Sequence, residues 1–421
     1  MIRIAGGTAL TRDGLMTTDV WVEGDRIVAL GPGMSNSSAQ VVEADGMLVG
    51  PGFVDLHAHL REPGQTAKED IASGTRAAAA GGYTAVVAMP NTEPATDNPD
   101  LAIAMRRAGE AAGNALVVPA GALTRERRGE EPSDLEGLYA AGVRLFTDDG
   151  DGVADTALLE DLMRRLSALP GAVLAQHAET PELTGAGQVH DGAVATRLGV
   201  PGIPVESETR MAQRDLRLAE STGAPYHLQH VSAAATLDLV RRARAAGIEV
   251  TVEVTPHHLS FDEGDIAYAE PNLKMYPPLR TTSDRSALIA GLADRSIDVV
   301  ATDHAPHTAE EKALPFVEAP RGVIGLETAA AAVWGALGHP ARFFDVMSTR
   351  PAAIVGLTRH GAPIEVGSPA NLVVFDPDRE WVASEFVSKS SNSPYMGLML
   401  RGRPVMTVFE GVITHQLEPV C

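Results

Sequence analysis

Six residues with the chemistry of metal ligands stand at the ends of apolar segments in this chain, and an arginine follows the first two. In Asp55-Leu56-His57-Ala58-His59-Leu60-Arg61-Glu62-Pro63-Gly64, two imidazoles sit two residues apart at the end of an apolar run. Leu48 to Leu56 reads as one buried strand, kinked at Pro51-Gly52. Side chains at i and i+2 of a strand share a face, so His57 and His59 can converge on one metal ion. Arg61 can hold a substrate carboxylate beside that ion through two parallel hydrogen bonds. A lone His-x-His is as often packing or surface as it is a metal site, so the other segment ends decide.

Those ends repeat the chemistry. Val143-Arg144-Leu145-Phe146-Thr147 runs into Asp148-Asp149, Val173-Leu174-Ala175-Gln176 into His177, Tyr226-His227-Leu228-Gln229 into His230, and Ile297 to Thr302 into Asp303. Taking Asp149 from its pair, the candidate ligands are His57, His59, Asp149, His177, His230 and Asp303. Each has an ordinary reading by itself: a strand-end histidine makes a hydrogen bond more often than a metal bond, and Asp148-Asp149-Gly150 suits a turn. Six suitable residues at one end of five strands argue for a joint site. Four imidazoles and two carboxylates exceed one tetrahedral zinc, so two ions are implied.

Paired hydrolytic ions lie about 3.5–4 Å apart and need an anionic bridge. A carbamylated lysine is one solution, but the four lysines are Lys68, Lys274, Lys312 and Lys389, and none ends the fourth strand. Asp149, with two oxygens, is the expected bridge, and no carbamylated lysine is expected. Asp303 opens Asp303-His304-Ala305-Pro306-His307, where a metal-bound carboxylate can take a proton from bridging water and return it to a leaving nitrogen. Asn91 can hydrogen-bond a planar polar substrate, or only form a turn before Pro94. His257-His258 would point to opposite sides of a strand, which puts them behind the ligands or in a loop.

These ends must be positioned by a scaffold. Candidate strands end near His57, Pro90, Ala122, Asp149, His177, His230, Thr255 and Asp303, and most are continuous apolar runs such as Tyr83 to Met89, suited to burial on both faces. Helical periodicity fills the gaps, as in Leu101 to Ala112, Ser207 to Ser221 and Ala233 to Ala246, with Gly113, Gly223 and Gly247 as C-caps. Eight such units predict an α/β fold, a (β/α)8 TIM-like barrel over residues 51–354 with its site at the C-terminal strand ends. The alternative, an open doubly wound sheet, lacks a Gly-x-Gly-x-x-Gly turn after its first strand. Residues 1–50 alternate short apolar runs with turns and read as short antiparallel strands. The same texture returns in 355–421, so a small β-sandwich domain built from both ends is expected rather than two appendages.

A chain of 421 residues with 44% apolar and 21% charged residues is globular. A net charge of −21 repels nucleic acid and anionic membranes, and an anionic small molecule then needs local help, which Arg61 supplies. The one cysteine, Cys421, excludes a cysteine-rich zinc site and an intramolecular disulfide. The N-terminus lacks signal-peptide regions and no run approaches 18 apolar residues, so a cytoplasmic location is expected.

With these residues assembled, the chain resembles the amidohydrolase superfamily and, within it, the class I bacterial dihydroorotases. The resemblance covers essentially the whole length and is carried by DLHAHLREPG at 55–64, MPNTEP at 89–94, FTDDG at 146–150, HAE at 177–179, HVS at 230–232, TPHHL at 255–259 and TDHAPH at 302–307. It implies the reversible closure of N-carbamoyl-L-aspartate to L-dihydroorotate in pyrimidine biosynthesis. It also implies one zinc on His57, His59 and Asp303, a second on His177 and His230, bridging by Asp149 and hydroxide, and Asp303 as acid and base. Arg61, Asn91 and His307 match substrate-binding positions. Hydantoinases and allantoinases share the barrel but typically supply the missing lysine, and a cyclic amidase of that kind is the alternative. A non-catalytic scaffold for aspartate transcarbamoylase is another, although scaffold chains lack the ligands kept here. A homodimer or a complex with that transcarbamoylase is compatible with the chain. Two departures stand out: Tyr276 replaces an asparagine in the KMNPPLR pattern, and Ala319-Pro320-Arg321-Gly322 replaces APFG. Tyr276, Arg321 and Gly322 are the substrate-binding candidates at these departures: Tyr276 can still donate a hydrogen bond, and Arg321 can supply a second carboxylate contact or simply face solvent.

Overall fold

The computed structural model describes residues 1–32, 34 and 38–417; Cys421 lies outside the described residues. Eight parallel strands form the barrel: β1 (Phe53–Ala58), β2 (Tyr83–Ala88), β3 (Leu116–Pro119), β4 (Leu145–Phe146), β5 (Val173–Gln176), β6 (Tyr226–Leu228), β7 (Val250–Val254) and β8 (Val299–Val300). Consecutive strands pair in parallel. Bridges Gly121 to Phe146 and Ala58 to His304 join β3 to β4 and β8 back to β1, closing the ring. Each strand is followed by a helix, from Ile71–Ala80 after β1 to Ala329–Leu337 after β8. Every residue of β1 and β2 is buried, as strands sandwiched between neighbours and helices require.

The expected single strand from Leu48 to Leu56 is two strands. Leu48–Pro51 belongs to the β domain and Phe53–Ala58 to the barrel. Gly52 is the transfer point, because a Cβ there would lie 2.2 Å from Thr84 Cγ2. The backbone can cross between sheets only where no side chain intervenes.

The two chain ends interleave. A six-stranded sheet runs Val412–Gln416, Met399–Phe409, Leu372–Val382, Leu48–Pro51, Thr8–Thr11, Gly14–Thr17, and a four-stranded sheet runs Arg26–Leu30, Val20–Glu23, Ile2–Ala5, Gln40–Glu43. Ile4, Val22, Val42 and Val49 share one buried cluster with Leu372, Val374, Met406 and Val408. The expectation of antiparallel pairing fails at two places: Ile2–Ala5 pairs in parallel with Gln40–Glu43, and Thr8–Thr11 with Leu48–Pro51. The hairpin of Val20–Glu23 and Arg26–Leu30 occupies the other edge of Ile2–Ala5, and the chain returns past it by the long crossover that parallel pairing needs.

Helix ends follow their caps. Pro99–Ala112 starts two residues earlier than the periodicity indicates, because Asn98 caps Leu101 N–H at 3.2 Å and Pro99 fits the first turn. Gly113 and Gly223 close their helices in the left-handed conformation, whereas Ala234–Ala245 closes at Ala246, one residue before Gly247. Residues 383–398 leave the β domain and lie along the barrel: Ser388 Oγ donates to Glu69, and Asn392 bonds the loops after β8.

Candidate metal centre and active site

The C-terminal ends of β1, β4, β5, β6 and β8 meet around Asp149. Its Oδ1 lies 3.1 Å from His57 Nε2, 3.7 Å from His230 Nε2 and 3.9 Å from His177 Nδ1, while Oδ2 lies 3.5 Å from His59 Nε2. Asp303 Oδ1 is 3.0 Å from His59 Nε2 and 3.6 Å from His57 Nε2, and His177 Nδ1 is 2.9 Å from His230 Nε2. The potential donor atoms of His57, His59 and Asp303 all lie within 4.8 Å of one another, as do those of His57, Asp149 and His230. His57 Nε2 and Asp149 Oδ1 are buried without a hydrogen-bond partner. Two buried polar atoms without partners aimed at one spot are costly in a protein interior, and a cation resolves both. The donor set, imidazole and carboxylate, suits zinc.

Strain accompanies the chemistry. Arg61, His230 and Asp303 have φ of +59°, +30° and +46°, a region that L-residues with side chains rarely occupy. These turns swing the side chains over the barrel mouth.

A cavity of about 200 Å³ opens above the cluster, lined by His59, Arg61, Asn91, Asp149, Gly150, His177, His230, Tyr276, Asp303, Ala305, His307, Arg321 and Gly322. Eleven of the twelve candidate residues line it, and His57 lies fully buried beneath. Arg61 Nε donates to Pro306 O at 3.2 Å; burial lowers its pKa to about 10, which leaves it charged at neutral pH. Asn91 Oδ1 accepts a hydrogen bond from His59 Nδ1–H at 2.8 Å, so Asn91 orients a candidate ligand as well as lining the pocket. His307 Nε2–H donates to Arg321 O at 2.8 Å; burial and then Arg61 depress its pKa to about 2, so the ring is neutral.

Gly322 has φ +108°, and a Cβ there would meet Ala305 Cβ at 2.7 Å; only glycine fits this wall. The Tyr276 ring packs against His177 at a tilt of 40°, centroids 4.4 Å apart, and the Arg321 guanidinium lies 4.3 Å over the Tyr276 ring. Burial, and then the Glu179 charge beside it, raises the pKa of the Tyr276 hydroxyl. Tyr276 therefore offers the cavity its ring.

Asp148, the other half of the acidic pair, accepts Leu123 N–H at 2.8 Å and Thr124 N–H at 3.1 Å, tying β4 to the loop after β3. His257 and His258 lie in a short helix, Pro256–Ser260, and not along a strand, because Thr255 caps His258 N–H and Pro256 begins the turn. Their rings are adjacent, centroids 4.7 Å apart.

Residues 46–236 match the dihydro-orotase-like family. The chain is 44% identical over 416 residues to a dihydroorotase of Leifsonia xyli subsp. xyli, covering 96% of this chain and 94% of that one. It is 42% identical over 415 residues to a dihydroorotase of Mycobacterium leprae, covering 96% of each. The chain belongs to the dihydroorotase family. Among solved structures, the L-hydantoinase of Arthrobacter aurescens superposes with a TM-score of 0.86 at 25% identity, over 100% of this chain and 97% of that one. A D-hydantoinase of Thermus sp. gives 0.83 at 26%, over 99% and 95%. This dihydroorotase-family chain thus has the amidohydrolase architecture of barrel plus β domain, and among the described residues no helix is long and apolar enough to cross a membrane.

Several residues that shape the site escape the sequence patterns. Glu253, inside β7, contacts His57 Nδ1 at 2.7 Å and His227 Nε2 at 3.0 Å. Burial works against its charge, but His57 and His227 prevail and hold its pKa at about 2. Arg127 Nη2 donates to the carbonyl of Asp149, to that of Asp148 at 3.4 Å and to Asp151 Oδ2 at 2.9 Å, bracing the loop that carries Asp149. In sequence, Arg125-Glu126-Arg127-Arg128 reads as a solvated charge run.

Proposed function

We propose that the chain is a metal-dependent dihydroorotase that interconverts L-dihydroorotate and N-carbamoyl-L-aspartate. The observation that carries this reading is Asp149, whose two oxygens face different imidazoles at the floor of a cavity that also holds a buried arginine. In this reading His57, His59 and Asp303 hold one zinc, His177 and His230 the other, and Asp149 bridges them. All four lysines have other partners: Lys68 pairs with Glu311 at 3.0 Å, Lys389 pairs with Asp70, and Lys274 and Lys312 donate to main-chain carbonyls. This supports a carboxylate bridge in place of a carbamylated lysine. The division into a barrel at 51–354 and a β domain at 1–50 with 355–421 is supported by the separate sheets, with Leu48–Pro51 as their junction.

Bound zinc ions would polarise the ring amide carbonyl and lower the pKa of the attacking water. Arg61 is positive and buried, and it binds the substrate carboxylate against the net charge of the protein. Burial of Asp303 opposes its charge, but His57 and His59 outweigh that penalty and keep its carboxyl well below the usual range. At neutral pH Asp303 is therefore a base. During ring opening it takes a proton from water and returns it to the nitrogen as the amide C–N bond breaks, leaving the terminal NH2 of the carbamoyl group. Ring closure runs the same transfer backwards. Asn91 and His307 orient the ring, while Tyr276, Arg321 and Gly322 wall it.

The hydantoinase reading rests on the similarity of fold and on Tyr276 and Arg321. The full-length relatives favour dihydroorotate, and the six assembled ligands weigh against a non-catalytic scaffold. The deciding experiment is consumption of dihydroorotate by protein of measured zinc content, beside a panel of hydantoins. Turnover of dihydroorotate with the highest kcat/KM is expected, and zinc-replete protein that leaves it untouched would overturn the assignment.

A further inference from the structure

We propose that Glu253 is a positioning residue that fixes the proton of His57 on Nδ1 and ties together the two halves of the metal centre. The inference rests on the two-metal reading and extends it to a residue that touches neither ion nor substrate. Glu253 is 1% exposed on β7. Its Oε1 lies 2.7 Å from His57 Nδ1 and accepts the main-chain N–H of His230 at 3.0 Å. Its Oε2 lies 3.0 Å from His227 Nε2, and His227 Nδ1 in turn lies 2.8 Å from Thr251 Oγ1.

An ionised carboxylate only accepts hydrogen bonds. His57 must therefore carry a hydrogen on Nδ1, which makes Nε2 the nitrogen that a cation would bind. That Nε2 is the atom facing Asp149 at 3.1 Å, buried and without a hydrogen-bond partner. Gln229 Nε2 stands 3.3 Å from the same Nδ1, but this contact is longer and uncharged, so the carboxylate sets the proton. A carboxylate on the far nitrogen of a ligating imidazole also makes that ligand more basic. The second bond of Oε1 has a separate effect: it anchors the backbone of His230, held at φ +30°. One carboxylate thus orients a ring from the first ligand group and a backbone from the second, across β1, β6 and β7.

The test compares zinc affinity by chelator competition in wild type and E253Q, with secondary structure and melting of the zinc-free proteins measured alongside. E253Q is expected to bind zinc about 10- to 100-fold more weakly, with the zinc-free fold retained, and 15N spectra should show His57 Nδ1 losing its fixed protonation. E253D keeps the charge but withdraws it by one methylene, so it should fall between the two; it carries the test if E253Q does not fold. Zinc affinity of the folded variant within about twofold of wild type overturns the proposal while leaving the metal centre intact. Wild type that takes up no zinc overturns the metal reading, and the proposal with it.

Discussion

The side-chain oxygen of Asn392 accepts the main-chain N–H of His307 at 3.1 Å. Its amide nitrogen donates to the carbonyls of Ala305 at 3.0 Å and Gly322 at 3.2 Å. Three residues of the cavity wall therefore hang from one buried amide in the segment that joins the last two long strands of the β domain.

N392A removes all three bonds and leaves their buried partners unsatisfied, at a cost of about 1–3 kcal/mol for a group so stranded. Asn392 contacts no candidate ligand, so the damage should appear in substrate binding. We expect KM for dihydroorotate to rise on the order of tenfold with zinc content unchanged. Steady-state kinetics on metal-analysed protein check this, and zinc loss at constant KM would refute it.

Tyr276 separates the catalytic cavity from a neighbouring one of about 410 Å³ lined by Arg127, Arg128 and Glu179, and it borders both. Its hydroxyl lies on the Glu179 side, and its ring packs against His177 and Arg321. Y276F should accordingly leave kcat/KM for dihydroorotate within a small factor, since substrate loses no hydrogen bond. Y276A should merge the two cavities and shift the kcat/KM ratio toward bulky hydantoins. A large loss in Y276F would instead mean that the hydroxyl turns to the substrate.

The barrel and the rim that gathers the candidate ligands are legible in the sequence because strand ends place side chains at one rim whatever the loops do; Asp149, His177, His230 and Asp303 each end a buried apolar run. The supporting groups are harder to see. Glu253 sits within a strand, where its charge looks like an interruption, and only three-dimensional closure brings it to His57. Asn392 follows Ser388 to Ser391 in a stretch with no periodicity, and its partners lie 85, 87 and 70 residues away in sequence. His257 and His258 do not splay across a strand, because the cap at Thr255 and the proline after it start a short helix directly after the strand. The parallel pairings near the N-terminus depend on where an intervening hairpin docks, which local patterns do not encode.

Asp303→Asn keeps the size of the side chain and removes the proposed base. Because general acid–base catalysis typically contributes about 10²–10⁴-fold, kcat should fall at least on the order of a hundredfold while binding through Arg61 persists. Product affinity by calorimetry, measured with zinc content on the same sample, separates lost proton transfer from lost metal. Near-normal kcat in the zinc-loaded variant would remove Asp303 from the proton path.

His360 lets the pH dependence of stability be read apart from the metal centre. It is 8% exposed, its Nδ1 lies 3.0 Å from Thr84 Oγ1, and its ring stacks over Phe409 at 6.3 Å. Burial, with Arg359 adding to it, lowers its pKa from 6.5 to about 4. The unfolded chain thus takes up a proton near pH 6.5 that the folded chain refuses until near pH 4. Stability contributed by the neutral ring is complete above the higher value and is lost as pH falls through that window, by about 2–3 kcal/mol at most. Denaturant unfolding of zinc-free protein at pH 7.5 and pH 5 should show a smaller drop in H360N than in wild type. Equal drops would mean that the folded protein protonates this imidazole as readily as the unfolded chain does.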